Sequence, residues 1–188
     1  ICYGMTETAP VSAQSSTSDS VEQRVGTVGR VHPHLEIKIV DEQGKVVPRG
    51  QLGELCVRGY SVMLGYWEDH EKSQEVIDSA RWMHTGDIAE MDEAGFVKIK
   101  GRIKDVVIRG GENLFPKEIE DFLYTHPDVS DVQVIGLPDT RYGEELCACI
   151  ILHEHHEITE ESIRQYCAEH ISHNKVPRYV RFFNEFPM

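Results

Sequence analysis

Glycine-punctuated alternation is the feature of this sequence that most restricts its fold. Leu35-Glu36-Ile37-Lys38-Ile39-Val40 alternates apolar and polar residues, and Asp41-Glu42-Gln43-Gly44-Lys45 turns the chain back into Val46-Val47. Gly53-Glu54-Leu55-Cys56-Val57-Arg58-Gly59 is a second run, bounded by glycine at both ends. Asp92-Glu93-Ala94-Gly95 reads as a turn into Phe96-Val97-Lys98-Ile99-Lys100. A two-residue period lines one face of an extended chain, whereas a helix needs a period of about 3.6. Short strands separated by such turns predict a small antiparallel barrel or meander. The serine-rich stretch from Ser12 to Ser20 reads as an exposed loop.

After Gly101 the pattern changes. Pro116 to Leu123 places proline at a first helical position, acids in the first turn and apolar residues at i, i+3 and i+4. Strands are predicted over Val129–Leu137 and Leu146–Leu152, a helix opens at Thr159-Glu160-Glu161-Ser162, and a last strand covers Tyr179–Phe183. With a short strand near Val106–Ile108 the order is β-α-β-β-α-β, a small α+β module. The predicted fold class is therefore α+β: an antiparallel β-barrel subdomain over 1–103, then a small α+β domain over 104–188.

Charge and cysteine usage exclude several functions. Up to Ile103 there are 11 basic and 16 acidic residues, and beyond it 8 basic and 16 acidic, within a net charge of −13. Neither part carries the basic footprint of a nucleic-acid binder. No apolar run reaches the length that spans a bilayer as a helix, so an integral membrane segment is not expected. Five cysteines without a scaffold spacing point to a reducing, intracellular compartment. The chain opens Ile1-Cys2-Tyr3-Gly4 and closes Phe186-Pro187-Met188, and both ends are expected to be cuts through a longer protein.

Three short motifs could carry chemistry. Tyr3-Gly4-Met5-Thr6-Glu7-Thr8 sets an aromatic ring beside hydroxyls and a carboxylate, which suits a purine stacked above a phosphate and its metal; the bland reading of the same residues is an ordinary strand-to-loop turn. Trp82-Met83-His84-Thr85-Gly86-Asp87 offers a carboxylate able to accept both hydroxyls of a ribose, or an Asx-type turn between strands. Gly101-Arg102-Ile103-Lys104-Asp105 precedes Ile108-Arg109-Gly110-Gly111-Glu112-Asn113, where paired glycines permit close backbone approach to a ligand or a simple hairpin turn.

Taken in order, Tyr-Gly-x-Thr-Glu, Gly-Glu-Leu-x-Val-Arg-Gly, Gly-Tyr-Trp, Thr-Gly-Asp, Gly-Arg-x-Lys-Asp and Gly-Gly-Glu-Asn resemble the acyl-adenylate-forming superfamily over essentially the whole chain. That superfamily comprises acyl-CoA synthetases, firefly luciferase and peptide-synthetase adenylation domains. Gly59 to Trp67 and Ile108 to Asn113 look most like medium-chain fatty acyl-CoA ligases of the acyl-CoA synthetase family member 2 type.

The resemblance implies a fatty acid, ATP and CoA as substrates, AMP as product, Mg²⁺ as cofactor, and a mitochondrial matrix location. By position, it implies that Tyr3 stacks on adenine, Thr6 contacts the adenylate phosphate and Glu7 helps hold Mg²⁺. It likewise gives Asp87 the ribose hydroxyls, with Arg102 joining it. Lys104 falls at the hinge about which a mobile C-terminal domain rotates, and Gly110 and Gly111 at the pantetheine tunnel. The phosphate-cradling loop of the family is expected upstream of Ile1 and its catalytic lysine beyond Met188, so the 188-residue chain alone is expected to be inactive. A luciferase-like or carrier-loading adenylating enzyme, or a non-catalytic nucleotide-binding piece, are the rival readings.

Other groups are weaker. His153-Glu154-His155-His156 could bind a metal or simply be solvated. Cys147 and Cys149 face the same way on a strand without zinc spacing, which favours packing. Lys175, Arg178 and Arg181, with Glu185 the only acid nearby in sequence, could meet a CoA phosphate or form a solvated strand edge.

Overall fold

The computed structural model describes residues 1–154 and 158–186, which fall into two compact units, Ile1–Ile103 and Lys104–Met188. In the first unit, β1 (Cys2–Tyr3), β2 (Ala13–Gln14) and β3 (Arg30–Val31) form a small antiparallel sheet in that order. Helix α1 (Val21–Gly26) lies between β2 and β3 in sequence, started by a capping box between Ser20 and Gln23. The serine-rich stretch is thus not wholly a loop. Ser12 and Ala13 are fully buried, because β2 is the middle strand and Gly29 packs against it. A side chain at Gly29 would stand 2.0 Å from the Gln14 carbonyl carbon, and its φ of +81° already favours glycine. The longest exposed run is Ser16 to Ser18.

The alternating runs become β4 (Leu35–Val40), β5 (Gly53–Gly59), β6 (Met83–Met91) and β7 (Val97–Arg102), with α2 (His70–Val76) between β5 and β6. They pair consecutively and antiparallel, β4-β5-β6-β7. The turns form where acids accept backbone bonds: Asp41 Oδ1 takes the N–H groups of Gln43 and Lys45, and Asp92 Oδ1 takes that of Phe96. Leu55, Ile39, Ala89 and Val97 bury one face, and Val57, Val62, Ile77 and Met83 make a second cluster.

The predicted meander is present; a closed barrel is not found among the described residues. Closure would require β4 and β7 to pair with one another. Their outer edges are instead occupied by short segments of the same unit. Val47 N–H donates to the Ile39 carbonyl at 3.0 Å, and Val28 and Gly29 exchange bonds with Val97 at 2.8 and 2.9 Å.

The second unit follows a 3₁₀ turn, Ile103–Asp105. Its elements are β8 (Val107–Arg109), β9 (Glu112–Leu114), α3 (Pro116–Leu123), β10 (Val129–Asp139), β11 (Gly143–Leu152), α4 (Glu160–His170) and β12 (Tyr179–Phe182). The sheet runs β10-β11-β8-β9, with β12 parallel to β11. Strand β9 is an addition to the predicted order, since three residues after a glycine pair carry no readable alternation. Helix α3 turns Ile119 and Leu123 inward, and α4, capped by Thr159, turns Ile163 and Cys167 inward; all meet Leu146, Ile150 and Val180 in one core. None of the described helices is long and apolar enough to cross a membrane.

Candidate functional site

A three-residue constellation, Tyr3, Asp87 and Arg102, forms at the meeting of β1, β6 and β7. Its origin is a bulge in β6. Glu54 pairs with Ile88 and Cys56 with His84, so Thr85-Gly86-Asp87 stand opposite Leu55 alone. Gly86 takes a φ of +71°, which lets the strand bend there. The Thr85 hydroxyl donates to the Leu55 carbonyl at 2.7 Å and accepts the Asp87 N–H at 3.1 Å. Glu54 Oε1 accepts the Gly86 N–H at 3.0 Å. Thr85-Gly86-Asp87 is therefore not a turn between strands but an irregularity held inside one.

The bulge fixes Asp87 opposite Arg102 in the β6–β7 register. Asp87 Oδ2 accepts the Tyr3 hydroxyl at 2.5 Å, and its Oδ1 lies 3.4 Å from Arg102 Nε. The carboxylate is 13% exposed, whereas Arg102 is 61% exposed. Burial and the bond to Asp87 push the Tyr3 phenol well above its ordinary value, so it stays a donor. An ionised carboxylate has about four acceptor positions. Tyr3 and Arg102 occupy two of them, so Asp87 keeps acceptor capacity for further hydroxyl donors.

Thr6 and Glu7 sit in a 3₁₀ turn, Thr6–Thr8, that follows β1. Gly4 is required before it, since a side chain there would stand 1.5 Å from the Pro10 carbonyl oxygen. Thr8 is buried and Thr6 exposed. Glu7 Oε1 accepts the Tyr66 hydroxyl at 2.9 Å, and the Glu7 carbonyl accepts the Met63 N–H at 2.9 Å. One carboxylate oxygen held in place and one free is a set that fits a magnesium ion, which takes one or two carboxylates and fills its remaining positions with water and phosphate oxygens. Tyr66, Glu54 and His84 carry no role in the sequence reading. Gly65-Tyr66-Trp67 and Gly53-Glu54-Leu55 are visible as strings, but their partners lie 59 and 32 residues away.

In the second unit, Gly110 and Gly111 have φ of +60° and +87° and join β8 to β9, with Arg109 opposite Glu112. Two consecutive positive φ values make this a hairpin turn of the type that matches strand twist. Lys104 is exposed in the 3₁₀ turn. Arg109 Nε bonds Glu145 Oε2 at 2.7 Å, with Glu145 1% exposed. Lys175 pairs with Glu118 at 2.5 Å, Arg178 with Asp139 at 3.3 Å, and Arg181 with Glu160 at 2.9 Å. The basic cluster of the sequence is thus neutralised by acids that α3, β10 and α4 bring to it. Cys147 is buried in β11. His155 and His156 of the histidine-rich turn lie outside the described residues.

Comparison with known proteins gives this geometry a context. Residues 1–67 match the profile of the AMP-binding enzyme family, and residues 118–188 match that of the AMP-binding enzyme C-terminal domain. The chain is similar to the mitochondrial medium-chain acyl-CoA ligase ACSF2 of Bos taurus, at 52% identity over 100% of the chain, and to that of Homo sapiens at 49%. It spans 31% of the length of each of these relatives. Among solved structures it resembles ATP-bound MatB from Rhodopseudomonas palustris, with a TM-score of 0.92 and 35% identity over 99% of the chain and 37% of that protein. It also resembles o-succinylbenzoate CoA synthetase (MenE) from Bacillus subtilis in complex with the acyl-adenylate intermediate OSB-AMP. There the TM-score is 0.91 and the identity 31%, over 99% of the chain and 37% of that protein. With both family profiles matched in chain order and half the residues shared with named acyl-CoA ligases, the chain belongs to the AMP-binding, acyl-adenylate-forming enzymes.

Proposed function

We propose that the protein of which this chain forms a part is an ATP-dependent fatty acyl-CoA ligase. In the first half-reaction a fatty-acid carboxylate attacks the α-phosphorus of ATP, forming the acyl-adenylate and releasing pyrophosphate. In the second, the CoA thiol attacks the acyl carbonyl and AMP leaves. The observation that carries this reading is the mostly buried Asp87 carboxylate, held between Tyr3 and Arg102 with acceptor capacity to spare.

In this scheme Asp87 accepts the ribose hydroxyls. Arg102, mostly exposed, pairs with that carboxylate and lies on the ligand side. Tyr3 holds Asp87 through its hydroxyl and offers its ring to adenine. Thr6 donates to the α-phosphate, and Glu7, fixed by Tyr66, supplies a carboxylate ligand to Mg²⁺. When bound, the cation neutralises phosphate charge. Residues 1–103 act as the distal part of the adenylating domain. Residues 104–188 act as the mobile C-terminal domain, with Lys104 as hinge and the Gly110-Gly111 turn beside the pantetheine of CoA. A mitochondrial matrix location is part of the same proposal, supported by the similarity to ACSF2.

The test uses the complete enzyme and both half-reactions. Asp87→Ala should weaken ATP by the value of a charge-assisted hydrogen bond, about 1.5–3 kcal/mol, while leaving the fatty-acid KM nearly unchanged. Equal losses for both substrates would assign Asp87 to folding. Lys104→Pro fixes φ near −65° and removes a backbone donor. It should retain ATP–pyrophosphate exchange and lose most transfer to CoA, with Lys104→Ala mild in both assays. Parallel loss of both half-reactions in Lys104→Pro would remove the hinge.

A further inference from the structure

The bulge in β6 also assembles a group that the reaction above does not use. Glu54 and Cys56 project from the face of β5 opposite Leu55 and Val57, and His84 stands across from Cys56 on β6. One ligand atom from each lies within 4.8 Å of the others. Cys56 Sγ is 3.6 Å from His84 Nδ1, and His84 Nδ1 is 2.7 Å from Glu54 Oε2.

We propose that Glu54, Cys56 and His84 form a binding site for a single borderline-soft divalent cation of the zinc type, with water in the fourth position.

The sulfur–nitrogen pair fits such an ion as it stands. Zinc–sulfur and zinc–nitrogen bonds of about 2.3 and 2.0–2.1 Å at a tetrahedral angle set sulfur and nitrogen roughly 3.6 Å apart. The Cys56–His84 pair already has that separation. The histidine–carboxylate pair is closer than the roughly 3.3 Å the same geometry asks for, so the Glu54 carboxylate must back away by about a rotamer adjustment. One thiolate and one carboxylate neutralise a dication, and thiolate with imidazole selects zinc-like over magnesium-like ions. Cys56 is fully buried, but the side chains of His84 and Glu54 are 29% and 19% exposed, so an ion can enter from their side.

Binding is a proton exchange. Burial first, and the Glu54 carboxylate next, push the Cys56 thiol up to about 12. The other charged groups facing it are Lys38 from β4 and Asp78 ahead of β6. Lys38 stands opposite Cys56 in the register, but its ammonium lies over the Trp82 ring at 4.5 Å. The cation therefore displaces the thiol proton to solvent as the sulfur–metal bond forms, and affinity rises with pH. Because Glu54 also accepts the Gly86 N–H, the ion would pull on the same carboxylate that holds the Thr85-Gly86-Asp87 bulge.

Cobalt(II) titration of the full chain tests this. A thiolate-to-cobalt charge-transfer band should grow to one equivalent, be erased by zinc and be indifferent to magnesium, with about one proton released per ion bound. Cys56→Ser should abolish the band, Cys149→Ser should leave it, and His84→Asn and Glu54→Gln should each weaken binding by about tenfold or more. Circular dichroism establishes that each variant is folded, and if Cys56→Ser is not, folded His84→Asn and Glu54→Gln decide the matter. Absence of the band, its survival in Cys56→Ser, or its loss in Cys149→Ser would overturn the site.

Discussion

The two units handle buried polar groups in opposite ways. In Ile1–Ile103 the apolar core is divided into two clusters, and the sheet is interrupted where Thr85-Gly86-Asp87 bulges out. Its polar contacts leave capacity unused: Asp87 has two partners for its carboxylate, and Glu7 has one oxygen held. In Lys104–Met188 a single core runs under the sheet and both helices. Its buried acid, Glu145, takes two bonds from Arg109 and a third, longer one from Arg178. A carboxylate with half its acceptors spare beside a mostly exposed arginine is prepared for a ligand, whereas a fully buried one engaged by two arginines holds the chain together. The distribution of large exposed apolar side chains sharpens the contrast, since Tyr60, Leu64 and Trp67 in one stretch of the first unit are 78%, 94% and 90% exposed.

The contrast breaks first at Glu145. Removing one partner of a buried ion pair leaves the other uncompensated, and Glu145→Ala should lower unfolding free energy by about 3 kcal/mol, read by denaturant titration. A loss under about 1 kcal/mol would mean that Arg109, part-exposed, simply turns to water, and that this pair is as open as the one in the first unit.

Tyr3→Phe probes the opposite pole. It deletes the hydroxyl at 2.5 Å from Asp87 and should cost about 1.5 kcal/mol of stability, with ATP binding in the complete enzyme weakened as Asp87 loses its fixed orientation. Loss of stability with unaltered ATP binding would make the Tyr3–Asp87 bond as structural as Arg109–Glu145.

The smallest effect is a pH dependence that both units share. In the second unit burial raises the thiols of Cys147 and Cys167 from an ordinary 9.0 to about 11. Above pH 9 the unfolded chain releases thiol protons that the folded chain keeps, so the unfolded state binds fewer protons and stability falls as pH rises. The loss should begin near pH 9, continue to about pH 11, and amount to on the order of 1 kcal/mol for each thiol by pH 10. Cys167→Ala should flatten part of that slope; an unchanged slope would place it on the raised groups of the first unit, the Cys56 thiol and the Tyr3 phenol.

Much of this was legible in the sequence because it is local. The alternation in Leu35–Val40 and Gly53–Gly59, the acid-led turns at Asp41 and Asp92, and Pro116 and Thr159 as helix starts all act within a few residues. The strings Tyr3 to Thr8 and Thr85 to Asp87 could be picked out for the same reason. The barrel expectation is not met among the described residues, and periodicity does not hold the information that decides it. Alternation says that a strand has a buried face, but not which segment will cover its edge, and Val28–Gly29 and Val47 took those places. The serine-rich stretch misled similarly: Ala13 is buried in a β2 that pairs with strands on both sides.

The sequence by itself determined β4, β5, β7, β8, β10, β11 and β12, helices α3 and α4, the change of architecture after Gly101 and the kinds of side chain available for nucleotide chemistry. Those follow from short-range sterics, turn residues and the period of apolar positions. Only the tertiary structure decided that Tyr3 meets Asp87 across 84 residues, that Glu145 is sealed by Arg109, and that Glu54 and His84 share a proton-bonding distance over a bulge. Such pairings depend on strand register, and a slip of one residue would move every one of these side chains to the other face of its sheet.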